Sequence, residues 1–164
     1  MAEDILFRTD NFIFSYRVAG ILIIDNKILL QKQTDKDGFA FPGGHVAFGE
    51  TNAETLIREF KEETNFNITV GELKWVGEMF FPWDKKQCHQ ICLYYSVNLE
   101  NTTVIKSFDK FTGNEYIENR NFDIEFHWMP IEKINKIKIY PANTIELLKD
   151  YDKGVKHFVD KEEK

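Results

Sequence analysis

At 164 residues, with 43% hydrophobic and 29% charged residues, the chain is long enough to fold as one domain around a core of its own. A formal net charge of −6 excludes a long nucleic-acid strand as partner, which needs a basic surface. The same charge leaves room for a small phosphorylated ligand, because bound cations reverse the local sign.

The opening "MAEDILFRTD" carries acids where a leader would carry a basic start, and the longest apolar run, "VAGILII", is too short to span a bilayer. "NFIFSYRV" alternates through Phe12, Phe14 and Tyr16 and predicts a half-buried strand. An exposed aromatic edge at that strand would support a homodimer. "AGILIIDNKILLQKQ" follows as two strand runs broken at Asp25–Asn26, a hairpin signal. The loop "TDKDGFAFPGG" then leads to a helix that Thr51 or Asn52 caps, with its apolar period at Ala53, Leu56, Ile57 and Phe60. It should end near Thr64, with Asn65 in the left-handed conformation.

"ITVGELKWVGEMFFPW" and "HQICLYYSVNL" read as long strands joined by the polar "DKKQC". From Glu100 to Asn121 the chain turns polar, with Gly113–Asn114, and predicts a loop or insertion. "EFHWMP" predicts a final strand, "PANTIELLKDYDK" a last helix, and residues 160–164 a frayed tail. This order implies an α/β domain, a mixed sheet with helices on its faces. Cys88 and Cys92, four apart on one strand, lie too far along it for an easy disulfide, and with His89 they fall short of a zinc set. Reduced thiols predict a cytoplasmic protein.

Between Gly43 and Phe66 the carboxylates crowd: Glu50, Glu54, Glu59, Glu62 and Glu63. At 100° per residue, Glu59, Glu62 and Glu63 share a helix face beside the apolar stripe, so their carboxylates can meet around one point. Hard oxygen donors of that kind suit Mg²⁺ or Mn²⁺, above all beside water and substrate phosphates. Arg58 can orient one of them, and Gly43–Gly44 let the loop backbone approach a ligand. A Glu-rich face alone is more often plain solvated surface.

The stretch resembles the Nudix box, G-x5-E-x7-R-E-U-x-E-E-x-G-U, with U a bulky residue. Gly44, Glu50, Arg58, Glu59, Glu62 and Glu63 fall at the matching spacing, and Asn65 stands where the family has glycine. The resemblance extends from about Val18 to Lys149 through "GILIIDNKILLQKQ", "FAFPGGHV" and "FHWMPIEKI". It implies one Nudix domain, an α/β/α sandwich with a metal-binding loop-helix-loop. It also implies hydrolysis of a pyrophosphate bond, in a nucleoside diphosphate linked to another moiety, by metal-activated water. By position, Gly44, Glu59, Glu62 and Glu63 would hold metal, Glu59 or a neighbouring acid would be the general base, Glu50 would act from the loop, and Arg58 would fix a glutamate. Glu115 and Glu118 are candidates for a further acid from a distant loop. Phe39, Phe81 and Trp83 are candidates to stack on a base, though core packing is the plainer reading of an aromatic in a chain with 15 Phe. A nucleotide sugar such as ADP-ribose and a nucleoside triphosphate both remain open; Pro82 lies about sixteen residues after Phe66, the kind of downstream proline that ADP-ribose enzymes of the family often carry. The alternative of another class is a catalytically silent Nudix module that senses a nucleotide.

Overall fold

The computed structural model describes residues 3–101, 109–117 and 120–162. Its elements run β1 (Leu6–Arg8), β2 (Phe12–Ile21), β3 (Ile23–Ile24), β4 (Lys27–Gln33), β5 (Gly43–His45), α1 (Asn52–Thr64), β6 (Ile68–Trp83) and β7 (Lys86–Leu99). β8 (Lys110–Ile117), β9 (Arg120–Pro130), a 3-10 turn (Ile131–Lys136), α2 (Thr144–Lys149) and β10 (Lys156–Lys161) complete it. The larger sheet has the order β1-β2-β7-β6-β10, with β5 also on β2; the smaller is β3-β4-β9-β8. β2 with β7 and β6 with β10 pair parallel, so the larger sheet is mixed.

Two tight turns set the registers. Asp25–Asn26 and Asp84–Lys85 both have positive φ at each central residue, the type I′ pattern that matches strand twist. The second turn is shorter than "DKKQC" suggested, because Lys86 already pairs with Trp83. Hydrophobic residues fill both faces of the larger sheet. One cluster holds Leu56 and Phe60 of α1 with Val18, Ile124 and Phe126; the other holds Leu147 of α2 with Trp75, Tyr94 and Phe158. The α/β/α layering follows from that double burial. Ile57, placed on the apolar stripe by periodicity, is instead 45% exposed; α1 buries Thr55, Leu56, Phe60 and Glu63.

Two expectations are corrected. The stretch 100–121 is not a loop throughout: Lys110–Ile117 is β8, hairpinned on β9. Phe111 holds it, stacked on Phe126 at 5.0 Å and tilted against Phe66 at 5.4 Å. Residues 160 and 161 are not frayed but end β10, which lies parallel to β6 with Phe158 buried opposite Gly77.

Charge also ties the smaller sheet. Glu125 of β9, opposite Lys32 of β4, receives Lys110 Nζ at 2.8 Å and Lys32 Nζ at 3.5 Å. The hydrogen bond from Lys110, aided by His127 and Lys32, holds its carboxyl down at about 2. A depressed carboxylate pKa stabilises the fold above the ordinary value of 4.5, and that contribution is lost as pH falls toward about 2. Glu125→Gln should therefore flatten the acid side of the stability curve; thermal melts from about pH 5 to 2 would show a smaller fall in Tm than in the parent.

Candidate active site

The carboxylate helix is defined at both ends by its own side chains. Thr51 Oγ1 accepts from Glu54 N at 3.2 Å, and Glu54 Oε2 accepts from Thr51 N at 2.7 Å, a capping box that assigns Glu54 to structure. At the other end Asn65 sits at φ 62°, its N–H donating to Lys61 O. Asn tolerates that left-handed geometry where a β-carbon otherwise costs about 1 kcal/mol. Asn65→Ala should lower stability by about that amount and Asn65→Gly should not, as measured by urea unfolding.

β5 delivers the glycines. Gly43 and Gly44 pair with Ala19 and Val18 of β2, and a β-carbon at Gly44 would strike the carboxyl carbon of Glu59. The missing side chain is thus the space into which Glu59 fits. Glu59 is only 16% exposed in its side chain, and burial pushes its carboxyl up to about 7 against the pull of Arg58. Arg58 is the hub. Its Nε and one terminal nitrogen grip both oxygens of Glu50 at 2.9 Å, while the other donates to Glu59 Oε1 at 2.6 Å and lies 3.6 Å from Glu62 Oε2. Thr55 Oγ1 also donates to Glu50, at 2.8 Å, and the Arg58 hydrogen bond holds the Glu50 carboxyl below its ordinary range. A carboxylate so engaged is a brace for α1 rather than a proton acceptor.

The three box glutamates are not gathered at one point. Glu62 is exposed, Glu63 is buried, and among the described residues no three His, Cys, Asp or Glu side chains are already arranged to hold a cation. Like charges repel, and Arg58 draws Glu59 and Glu62 to its own side. The donors are nonetheless all hard oxygens, and a buried carboxyl with a raised pKa gains from a nearby cation, so the residues fit Mg²⁺ or Mn²⁺ in kind.

A cleft of about 1150 Å³ opens between the two sheets, lined by Arg17 and His45 but by no residue of α1. Phe81 and Trp83, two of the candidates for stacking on a base, are among its lining residues. Phe39 is not among its lining residues; it packs edge-on to His127 at 5.0 Å. Glu118 lies outside the described residues, and of Glu115 the structure places only the backbone, in β8.

Sequence reasoning missed the polar wall. Ser15, His45 and Gln90 are buried; the Ser15 hydroxyl donates to Gln90 Oε1 at 3.2 Å and stands 3.1 Å from His45 Nε2. With the hydroxyl proton given to Gln90, His45 donates from Nε2 to Ser15. Burial, then Arg17 and Arg8, pushes His45 down to about 3, so it is neutral. Its ring stacks on Trp83, against which the Arg8 guanidinium also rests, 4.8 Å from the ring centre. Arg17 lines the cleft and its charge lowers the pKa of both His45 and Glu59, so one cation links the cleft to the carboxylate helix. The N-terminal segment arrives unannounced as well. Ile5 N donates to Val46 O and Phe48 N to Glu3 O, both at 2.8 Å, laying Asp4 along the loop before α1.

Comparison with known proteins speaks for the family and the fold. The NUDIX domain family matches residues 15–151. An ADP-ribose pyrophosphatase of Methanocaldococcus jannaschii is 54% identical over 50 residues, 29% of this chain and 30% of that protein. A CTP pyrophosphohydrolase of Escherichia coli is 42% identical over 59 residues, 34% of this chain and 44% of that protein. The chain thus matches less than half the length of these curated relatives. Among solved structures, an ADP-ribose pyrophosphatase from Streptococcus suis superposes with a TM-score of 0.58 at 12% identity, over 88% of this chain and 98% of that one. A UDP-X diphosphatase gives 0.57 at 21% identity, over 88% and 66%. Likeness at such identities speaks for the fold. With the family match covering most of its length, the chain belongs to the Nudix domain family.

Proposed function

We propose that this chain is a divalent-metal-dependent pyrophosphohydrolase acting on a nucleoside diphosphate linked to another moiety. The observation that carries the reading is the fit of the Glu59 carboxylate into the space left by Gly44, braced by Arg58 and Glu50. Gly44 O, Glu59, Glu62 and Glu63 would hold Mg²⁺ or Mn²⁺. Such an ion, when bound, neutralises phosphate charge and lowers the pKa of water.

The chain's own residues account for the remainder. Glu59, buried and steadied by Arg58 beside Gly44, is placed to serve as general base or as a ligand of the ion. Arg58 and Glu50 fix its position rather than touching substrate. Arg17 offers a positive charge to a phosphate entering from the cleft, and neutral His45 offers no competing charge there. Phe81 and the edge of Trp83 give the cleft an apolar wall for a base. At about 1150 Å³ the cleft is roomier than the ~300–1,000 Å³ usual for small-molecule sites, which suits a two-part ligand. The matched relatives act, by their names, on ADP-ribose and on CTP, and both classes stay within this reading. No helix among the described residues is long and apolar enough to cross a membrane, and Cys88 and Cys92 are free thiols, in keeping with a reducing cytoplasm.

A product-release screen tests it: ADP-ribose, other nucleotide sugars, dinucleoside polyphosphates and nucleoside triphosphates, with Mg²⁺ or Mn²⁺, beside Glu62→Gln and Glu63→Gln. Metal-dependent turnover of one class, lost in both variants, is expected. Absence of turnover while nucleotides still raise Tm would replace the enzyme with a nucleotide sensor.

A further inference from the structure

We propose that an aromatic row crossing the larger sheet is a self-complementary surface through which two copies of this chain associate about a two-fold axis. Phe7, Phe14, Phe48 and His89 lie outside the cleft described above, while Phe80 and Lys161, at one end of the row, also line it. The registers bring one residue from each of five neighbouring strands into line: Phe7 opposite Phe14, Phe14 opposite His89, His89 opposite Phe80, and Phe80 opposite Lys161. Residues paired in this way share a face. Their rings meet in sequence, Phe7 on Phe14 at 6.3 Å, Phe14 on His89 at 6.3 Å and His89 on Phe80 at 4.4 Å, and Lys161 Nζ lies 5.2 Å from the Phe80 ring centre. Phe48, in the loop before α1, extends the row by packing edge-on to Phe7 at 6.2 Å. The next residue on that face of β2, Tyr16, bonds to Asn52 at the start of α1. The row therefore lies just past the helix, on the part of the face that α1 leaves open.

The size of the patch suits a second copy. Phe7, Phe12, Phe14 and Phe48 are 52%, 57%, 38% and 55% exposed. At ~200 Å² for each ring, about 400 Å² of aromatic surface stays in water. That is within the range of patches that mark interaction sites on monomers. A standard interface takes ~800 Å² from each partner, a little over half of it apolar, so the row supplies the apolar centre of one interface and its charged neighbours the rim. Charge gives the orientation. Glu3 and Asp4 flank the Phe48 end, and Lys161 closes the other. A two-fold axis near His89, the middle of the row, sets the Lys161 end of each copy against the acidic end of the other, in an isologous contact. The net charge of −6 disfavours a nucleic-acid strand on the same rings.

Sedimentation analysis of the full chain over a concentration series tests the proposal, with Phe7→Glu and Phe14→Glu as disrupting variants. Val155→Glu is the control, an exposed apolar residue off the row. The parent should sediment at twice 19.4 kDa, and each Phe variant should weaken association about tenfold or more. Val155→Glu should not. Circular dichroism confirms that the variants fold, as the exposure of both positions leads one to expect. Lys161→Glu should also weaken the dimer, and Glu3→Lys in the same chain should restore it. A parent that stays monomeric throughout, or a dimer indifferent to both Phe substitutions, overturns the proposal. Failure of the charge swap to restore association overturns the orientation. A monomer that binds single-stranded oligonucleotide through Phe7 replaces the dimer surface with a base-stacking platform.

Discussion

Glu59→Gln is expected to reduce turnover by roughly 10²- to 10⁴-fold, the range that separates a placed general base from its absence. It should also abolish stabilisation by Mg²⁺. Glu59 is the carboxylate that Gly44 admits, that Arg58 steadies at 2.6 Å, and that burial keeps largely out of water. The amide retains the shape, and its oxygen still accepts from Arg58, so the fold should survive. What it loses is the charge. A metal at a hundred times its Kd adds about 2.7 kcal/mol to stability, roughly 5–10 °C in Tm for a domain of this size. The parent should show that shift and Glu59→Gln should not. Wild-type turnover in the variant would remove Glu59 from the chemistry.

The adjacent glycines separate activity from stability. A β-carbon at Gly43 would strike the carbonyl oxygen of Val18 and the backbone of Ala19, both in β2. Backbone in a central strand cannot step aside, so Gly43→Ala should cost about 1–3 kcal/mol or more and depress Tm. The atoms nearest to a β-carbon at Gly44 all belong to the carboxyl end of the Glu59 side chain, which can rotate away. Gly44→Ala should therefore fold with little loss but cut turnover about 10²-fold, the cost of misplacing a reacting group by ~1 Å. Measuring Tm beside kcat/KM for both variants distinguishes the two outcomes. Full activity in Gly44→Ala would mean that the placement of Glu59 is not what the reaction requires.

The parts of this molecule that were legible in the sequence are those governed by neighbours along the chain. Thr51, Glu54 and Asn65 define α1 because capping and the left-handed stop are local. Asp25–Asn26 marked its turn for the same reason. β8 was read as loop because Gly113 and Asn114 interrupt a strand whose chief anchor, Phe111, is stabilised by Phe126 and Phe66 from elsewhere. β10 escaped because its pairing with β6 joins segments about eighty residues apart.

The site divides along the same line. Spacing alone singles out Gly44, Glu50, Arg58 and the box glutamates as candidates, since all lie on one loop and one helix. Helical spacing locates Cα atoms and not side-chain rotamers, which is why Glu62 faces solvent and Glu63 the interior. The cleft wall was invisible because register assembles it: Arg17 stands opposite both His45 and Cys92, and Ser15 opposite Gln90.

The most direct test of the central claim is hydrolysis in H₂¹⁸O, with product masses read for each substrate that the screen finds active. Water attack on phosphorus predicts one ¹⁸O in the phosphate of one product per turnover, only with Mg²⁺ or Mn²⁺ present, and formed at least ~10²-fold more slowly by Glu59→Gln. Products that form without added metal, or that carry the heavy oxygen on carbon rather than phosphorus, would contradict it.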